Sequence, residues 1–325
     1  MRIASNALAD VRRFYIEELA KRYPAEEAGA LFDWAAEEIL GQPRSIWRAQ
    51  ADRRVSESEL LRFFEAVKRL RKGEPVQYVF GRTYFDDMAL AVSPAVLIPR
   101  PETEQLVGLV ADELAQGGRG RAAAPCSGRA RVWDACTGSG CIALALYRRF
   151  GGAVEVWGSD ISEAALAVAQ GNAEVWGRIQ PPSAASCRAS SAVGSAAPDT
   201  ARPEAAPLRL LRHDLLAETP LPGPWDIIVS NPPYVRESEK ALMHENVLQH
   251  EPASALFVPD DDALRFYEAL GRGALAGLTE NGVLWAEINE ALPDALTTLY
   301  RGLGFATVEI HKDFRDKPRF VRVRR

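Results

Sequence analysis

Over the first 73 residues apolar positions recur at spacings of three and four: Leu31, Trp34, Ala35 and Ile39 in one stretch, Leu60, Leu61, Phe64, Val67 and Leu70 in another. That spacing puts each set on one helical face and predicts a small helical domain over residues 1–73. Residues 74–98 change to β-branched and aromatic types with turn signals, which reads as a β-hairpin linking two domains. Pro99-Arg100-Pro101 then fixes an extended entry into a helix beginning near Glu102. From about residue 130 strand and helix patterns alternate. Apolar runs at 131–135, 153–159, 208–212, 226–230, 282–288, 305–310 and 319–323, mostly separated by helix-length segments, argue for a doubly wound α/β sheet within a domain spanning 99–325. Residues 181–207 break this rhythm. Of these 27 positions 20 are Ala, Ser, Pro or Gly without periodicity, so the stretch reads as a low-complexity surface insertion between the second and third strands.

Composition narrows the class of protein. At 325 residues the chain is long enough for one large or two unequal domains, and 47% hydrophobic with 26% charged residues is ordinary for a soluble globular protein. The N-terminal stretch has no apolar signal region and no run of about 18 apolar residues occurs, which argues against secretion or membrane spanning and for a cytoplasmic protein. Four cysteines without a CxxC pair make neither a disulfide framework nor a zinc site. His244-Glu245 and His250-Glu251 lack the second histidine of a metalloprotease helix, so no metal is expected. The net charge is −5, and residues 1–75 hold 14 basic against 13 acidic side chains. No basic stripe marks a nucleic-acid surface, and the helical domain reads as a protein-docking module.

The candidate chemistry lies at the ends of the predicted strands. The first strand runs through Asp134 into Cys136-Thr137-Gly138-Ser139-Gly140 and then a helical run. Glycines at a strand-to-helix turn let the backbone approach a ligand, and the helix start offers unpaired N–H groups. Asp160 ends the second strand about 20 residues further on, where an acid can accept hydrogen bonds from both hydroxyls of a ribose. The spacing Gly138-x-Gly140-x-x-Ala143 also fits a dinucleotide site. Asp134, four residues before Gly138, suits a cationic ligand better than a pyrophosphate: it can organise the methionine end of S-adenosylmethionine, or simply cap the turn.

The fourth strand ends in Asn231-Pro232-Pro233-Tyr234. At the carboxyl edge of an open α/β sheet this tetrapeptide should stand beside the turns carrying Gly138 and Asp160. An NH2 group on a π-system is a poor nucleophile because its lone pair is delocalised. The Asn231 side-chain oxygen and the Pro232 carbonyl can each accept one of its N–H bonds and hold the nitrogen in line with a methyl donor. Pro233 stiffens the turn, the Tyr234 ring can stack on the planar group, and Asn231 also borders the cofactor.

At these residues the chain resembles the class I S-adenosylmethionine-dependent methyltransferases and, within them, the bacterial HemK/PrmC family of release factor glutamine methyltransferases. The family-specific segments are Gln77-Tyr78-Val79-Phe80-Gly81 and Leu97-Ile98-Pro99-Arg100-Pro101-Glu102-Thr103-Glu104. His250-Glu251-Pro252, Ala255-Leu256-Phe257, Phe266-Tyr267 and Glu287-Ile288 match as well. The resemblance implies a seven-stranded, mostly parallel sheet with a small N-terminal helical domain, and S-adenosylmethionine as cofactor. It implies an enzyme that methylates N5 of the glutamine in the Gly-Gly-Gln motif of class 1 peptide chain release factors. By the same resemblance residues 136–140 form the cofactor loop, Asp160 holds the ribose, and Asp214 with Leu215 takes the adenine side. A ribosomal-protein glutamine methyltransferase and a DNA adenine N6-methyltransferase share this chemistry; the 101–104 pattern disfavours the first and the missing basic region the second. Three features depart from the family: Cys136 stands where many members have glycine, residues 258–263 lack the usual glycines, and the 181–207 insertion is foreign to it. Arg100 and Glu102 read either as helix-entry and ion-pair residues or as direct participants in the site.

Overall fold

Prolines open and glycines close several helices at the start of the chain. The structure, a computed structural model, describes residues 3–50, 52–117, 128–177, 208–217 and 219–325, so the 181–207 stretch lies outside the described residues. Helix α1 (Leu8–Leu19) precedes α2 (Ala25–Leu40), which starts after Pro24 and stops at Gly41, where φ is 63°. Glycine reaches that left-handed conformation without the Cβ clash other residues meet. A short α3 (Arg44–Arg48) leads to α4 (Glu57–Leu70), whose Ser56 and Glu59 side chains cap each other's backbone N–H groups. Helix α5 (Val76–Phe80) again runs from a proline to a left-handed glycine, Gly81.

That last helix corrects the expectation of a hairpin over 74–98. Val76, Tyr78 and Val79 have strand-like side chains, yet Pro75 and Gly81 bracket them into a helical turn that buries Val76 and Tyr78. The hairpin consists of β1 (Arg82–Phe85) and β2 (Met88–Ala91). Its two-residue turn, Asp86-Asp87, has φ of 49° and 59°, the combination that matches strand twist.

Met1–Arg82, Val92–Pro94 and Leu242–Glu251 form one compact unit. Its centre is aromatic. Phe32, fully buried, stacks on Phe63 at a centroid separation of 5.7 Å and meets Tyr15 and Trp47 edge-on. The buried face of α4 therefore runs through Phe63, Ala66, Val67 and Leu70. Of the expected face, Val67 and Leu70 are buried and Leu60 and Phe64 pack partly buried against the same core, whereas Leu61 is 60% exposed and Phe63 is buried in its stead. Leu242–Glu251 enters this unit from far along the chain, and the Arg22 guanidinium holds it by donating to Glu245 and Asn246, each at 2.9 Å.

Thr83–Ala91, Ala95–Ala241 and Pro252–Arg325 form the second unit. Its helices and strands alternate: α6 (Pro101–Gly117), β3 (Ala130–Ala135), α7 (Cys141–Phe150), β4 (Val154–Asp160), α8 (Glu163–Trp176), β5 (Leu208–Arg212) and β6 (Trp225–Ser230). A two-residue strand β7 (Val235–Arg236) precedes α9 (Glu245–His250), which belongs to the helical unit, and β8 (Phe257–Val258) returns to pair with β7. Then follow α10 (Arg265–Gly277), β9 (Leu278–Glu287), α11 (Pro293–Gly302), β10 (Thr307–Lys312) and β11 (Pro318–Arg324).

Seven strands share one sheet in the order β10-β11-β9-β6-β3-β4-β5, with β11 antiparallel to both neighbours and the central pairs parallel. This is the doubly wound, mostly parallel seven-stranded sheet that the alternating pattern and the resemblance led one to expect. Successive side chains serve opposite faces. Val132, Ile227, Val229 and Trp285 pack under α6 and α7, whereas Trp133, Ile228, Leu284 and Ala286 pack with residues of α10 and α11. Each large side chain buried in this way contributes about 1.5–3 kcal/mol. Among the described residues no helix is long and apolar enough to cross a membrane, and no group of three or more His, Cys, Asp or Glu is placed to hold a metal ion.

Candidate active site

Strand register decides which side chains meet. Ala135, at the end of β3, pairs with Ser159 on β4 and Ser230 on β6, so the loops after these strands leave the sheet side by side at its carboxyl edge. Ser230 also pairs with Ala286, which brings Glu287 level with Asn231. Over these loops lies a cavity of about 250 Å³.

The glycine loop reaches the cavity through Cys136, Thr137, Gly138 and Ser139. Asp160, Asp214, Leu215 and Asn231 line it from the neighbouring loops. Asp134 and Gly140 do not line it. Gly140 caps α7 at φ 80°, and a Cβ there would lie 3.3 Å from the Ala169 Cβ, so this glycine serves packing. Asp134 is fully buried; its Oδ2 accepts from Thr137 Oγ1 at 2.6 Å and from the Ala143 N–H at 3.1 Å. This is the geometry of the turn-capping alternative. Burial pushes the Asp134 carboxyl up to about 7, with the Asp160 carboxylate adding to the push and the two hydrogen bonds opposing it.

Asp160 ties two loops together before any ligand is considered. Its Oδ2 accepts from the Gly138 N–H and its Oδ1 from the Ser162 N–H, both at 2.9 Å. Burial raises this carboxyl, and those backbone bonds oppose the rise. A carboxylate has about four acceptor positions, so two bonds leave capacity on the cavity side. Asp214 Oδ1 similarly accepts from Leu216 and Ala217 at 2.9 and 3.3 Å.

In the tetrapeptide Asn231 and Pro233 line the cavity, while Pro232 is buried and Tyr234 packs toward the Trp133 side of the sheet. Asn231 Nδ2 donates to Thr103 Oγ1 at 3.1 Å, and Thr103 Oγ1 donates to Glu287 Oε2 at 2.8 Å. The Tyr234 hydroxyl donates to the other oxygen, Oε1, at 2.9 Å. Glu287 is 1% exposed, and burial raises its carboxyl against the Thr103 and Tyr234 bonds that hold it down. Burial, with the Glu287 carboxylate next, likewise raises Tyr234, which keeps its proton to donate.

The match to known proteins extends well beyond this site. A family model described as the PrmC N-terminal domain matches residues 10–81. A release factor glutamine methyltransferase from Bacteroides thetaiotaomicron is 33% identical over 311 residues, covering 95% of this chain and 97% of the relative. One from Flavobacterium psychrophilum is 30% identical over 316 residues, 97% and 98% of the two chains. The chain belongs to the release factor glutamine methyltransferase family. A relative of the same description from Bacillus subtilis is 31% identical over 94% of this chain and 93% of its own.

Against that family membership, the departures noted in the sequence acquire physical content. Cys136 has φ 61°, a left-handed conformation that costs a side-chain-bearing residue about 1–2 kcal/mol and glycine almost nothing. Burial raises its thiol, and the Asp160 and Asp134 carboxylates raise it further, which disfavours the thiolate. The glycine-poor 258–263 segment forms β8 and a turn over Asp260–Asp262, where Asp260 Oδ2 accepts from the Ser238 N–H at 3.1 Å. Glu102 lies 3.9 Å from the Arg315 guanidinium, and neither it nor Arg100 lines the cavity. Thr103 and Glu287 were not singled out from the sequence as site residues. Their signal lay in the family-specific segments at 97–104 and 287–288, which carry no chemistry until the fold joins them.

Proposed function

We propose that this protein transfers a methyl group from S-adenosylmethionine to N5 of the glutamine in the Gly-Gly-Gln motif of class 1 peptide chain release factors, acting in the cytoplasm. The observation that carries the reading is Asn231 on the cavity wall with Nδ2 committed to Thr103, so that Oδ1 is the atom left to accept from a ligand.

The cavity residues suit the cofactor. Asp160 and Asp214 offer acceptors to hydroxyl and amino groups, Leu97, Ile161, Leu215 and Phe266 offer apolar walls to a base, and Gly138, at φ 55° with open space where a Cβ would stand, lets the backbone come close. S-adenosylmethionine, when bound, supplies an electrophilic methyl carbon on sulfur. Asn231 Oδ1 and the Pro232 carbonyl accept the two N–H bonds of the glutamine amide, which orients its nitrogen and restricts its rotation. The N–C bond would form as the bond from that carbon to sulfur breaks and the neutral thioether leaves; the nitrogen becomes positive, both acceptors stabilise that charge, and the surplus proton leaves to water. Pro233 stiffens the turn. The Tyr234 hydroxyl is tethered to Glu287.

Asp160→Ala is expected to weaken S-adenosylmethionine binding by about 1.5–3 kcal/mol for each charged hydrogen bond lost, because it removes the hydroxyl acceptor and frees the Gly138 loop together. Calorimetry on the folded variant reads this, and unchanged affinity would remove Asp160 from the site. The whole assignment is tested by incubating the protein with S-adenosylmethionine and a release factor. Mass spectrometry should find one added CH2, about 14 Da, on the Gly-Gly-Gln peptide; the methyl group on adenine, or on a ribosomal protein alone, would overturn it.

A further inference from the structure

Asn231 can act as an amide-holding acceptor only if its side chain points the right way round. Its oxygen and its NH2 have nearly the same shape, and the flipped arrangement would set donors against the donors of the substrate amide. Packing alone cannot choose between the two. A hydrogen-bond partner with a defined polarity can.

Thr103 Oγ1 can donate one hydrogen and accept others. Its donation goes to Glu287 Oε2, a buried carboxylate oxygen at 2.8 Å that can only accept when ionised. The lone pairs of Oγ1 are then what faces Asn231, so the atom at 3.1 Å must be the donor Nδ2. The second carboxylate oxygen takes the one hydroxyl hydrogen of Tyr234 at 2.9 Å. A single carboxylate thus orients both ends of the tetrapeptide, Asn231 through Thr103 and Tyr234 directly. Burial raises the Glu287 carboxyl; the Thr103 and Tyr234 bonds and then the positive charge of Arg319, itself held by Asp313 at 3.1 Å, oppose that rise and favour the ionised form.

We propose that Glu287 and Thr103 are positioning residues for methyl transfer, a relay that fixes the amide of Asn231 with its oxygen toward the substrate. This rests on the function proposed above and names the residues that make its acceptor geometry possible. Neither residue is asked to touch the reacting atoms.

The relay is tested on the full-length protein with a release factor as substrate. Thr103→Val keeps the shape and removes the polarity, and is expected to lower kcat about tenfold, the scale of one lost net hydrogen bond; Thr103 also lines the cavity, so S-adenosylmethionine affinity is measured alongside and should fall less than kcat. Thr103→Ser keeps the hydroxyl and should restore kcat. Glu287→Gln preserves volume but cannot accept from both Thr103 and Tyr234 with its two terminal atoms, and should also lower kcat with the melting temperature and cofactor affinity little changed. Wild-type kcat in Thr103→Val, or failure of serine to rescue, overturns the relay and leaves the proposed function standing. A wild-type protein that does not methylate the release factor overturns both.

Discussion

Replacing Asn231 by alanine is expected to slow methyl transfer by about a hundredfold, measured in single-turnover assays with S-adenosylmethionine and a release factor. The variant removes Oδ1, leaving the Pro232 carbonyl as the one remaining acceptor assigned to the substrate amide. A nitrogen held by one contact rather than two rotates, and a misplacement of about 1 Å carries a penalty of that order. The same change leaves Thr103 with its bond to Glu287 intact, so the buried network is not orphaned and the protein should remain folded. Asn231 lines the cavity proposed for the cofactor, and a modest loss of cofactor affinity is compatible with its proposed role. A near wild-type rate at saturating cofactor would refute it.

Phe32→Ala should destabilise the helical unit by about 3–5 kcal/mol, the cost of emptying a buried aromatic site. Phe32 is fully buried at the junction of Tyr15, Trp47 and Phe63, so three aromatic contacts disappear together. The catalytic sheet has cores of its own, centred on Val132 and Val229 on one face and on Trp133 and Trp225 on the other. We therefore expect S-adenosylmethionine affinity to survive while methylation of the release factor is lost, and deletion of residues 1–73 to act in the same direction. Thermal unfolding followed together with cofactor calorimetry and the methylation assay separates the two effects. Full methylation in a variant whose helical unit has demonstrably melted would show that this unit does not grip the substrate.

Periodicity and turn chemistry were legible in the chain because they are local. The sheet strands fall within a few residues of the apolar runs, and a proline with a following glycine is enough to bound α5 once the burial of Val76 and Tyr78 is known. The glycine turn and the Asn-Pro-Pro-Tyr turn were readable for the same reason: the order of strands in an α/β sheet sets which strand ends share an edge, so their meeting followed from topology. The edge of the buried face of α4 was not readable. Val67, Leu70, Leu60 and Phe64 pack as their spacing implies, but only the stacking of Phe63 on Phe32 from another helix decides that Phe63 is buried and Leu61 exposed.

By itself the sequence determined the alternation of strands and helices, the helical start of the chain, the glycine turn at 136–140 and the Asn-Pro-Pro-Tyr turn at 231–234, since each is encoded in neighbouring residues. The tertiary structure decided what depends on distant partners. It drew Leu242–Glu251 into the helical unit through Arg22. It buried Asp134 as a capping acid rather than opening it to the cavity. It also joined Asn231 to Thr103 and Thr103 to Glu287, across separations of 128 and 184 residues. The polarity of a hydrogen bond depends on what stands opposite it, and the register of β6 against β9 determines what stands opposite Asn231.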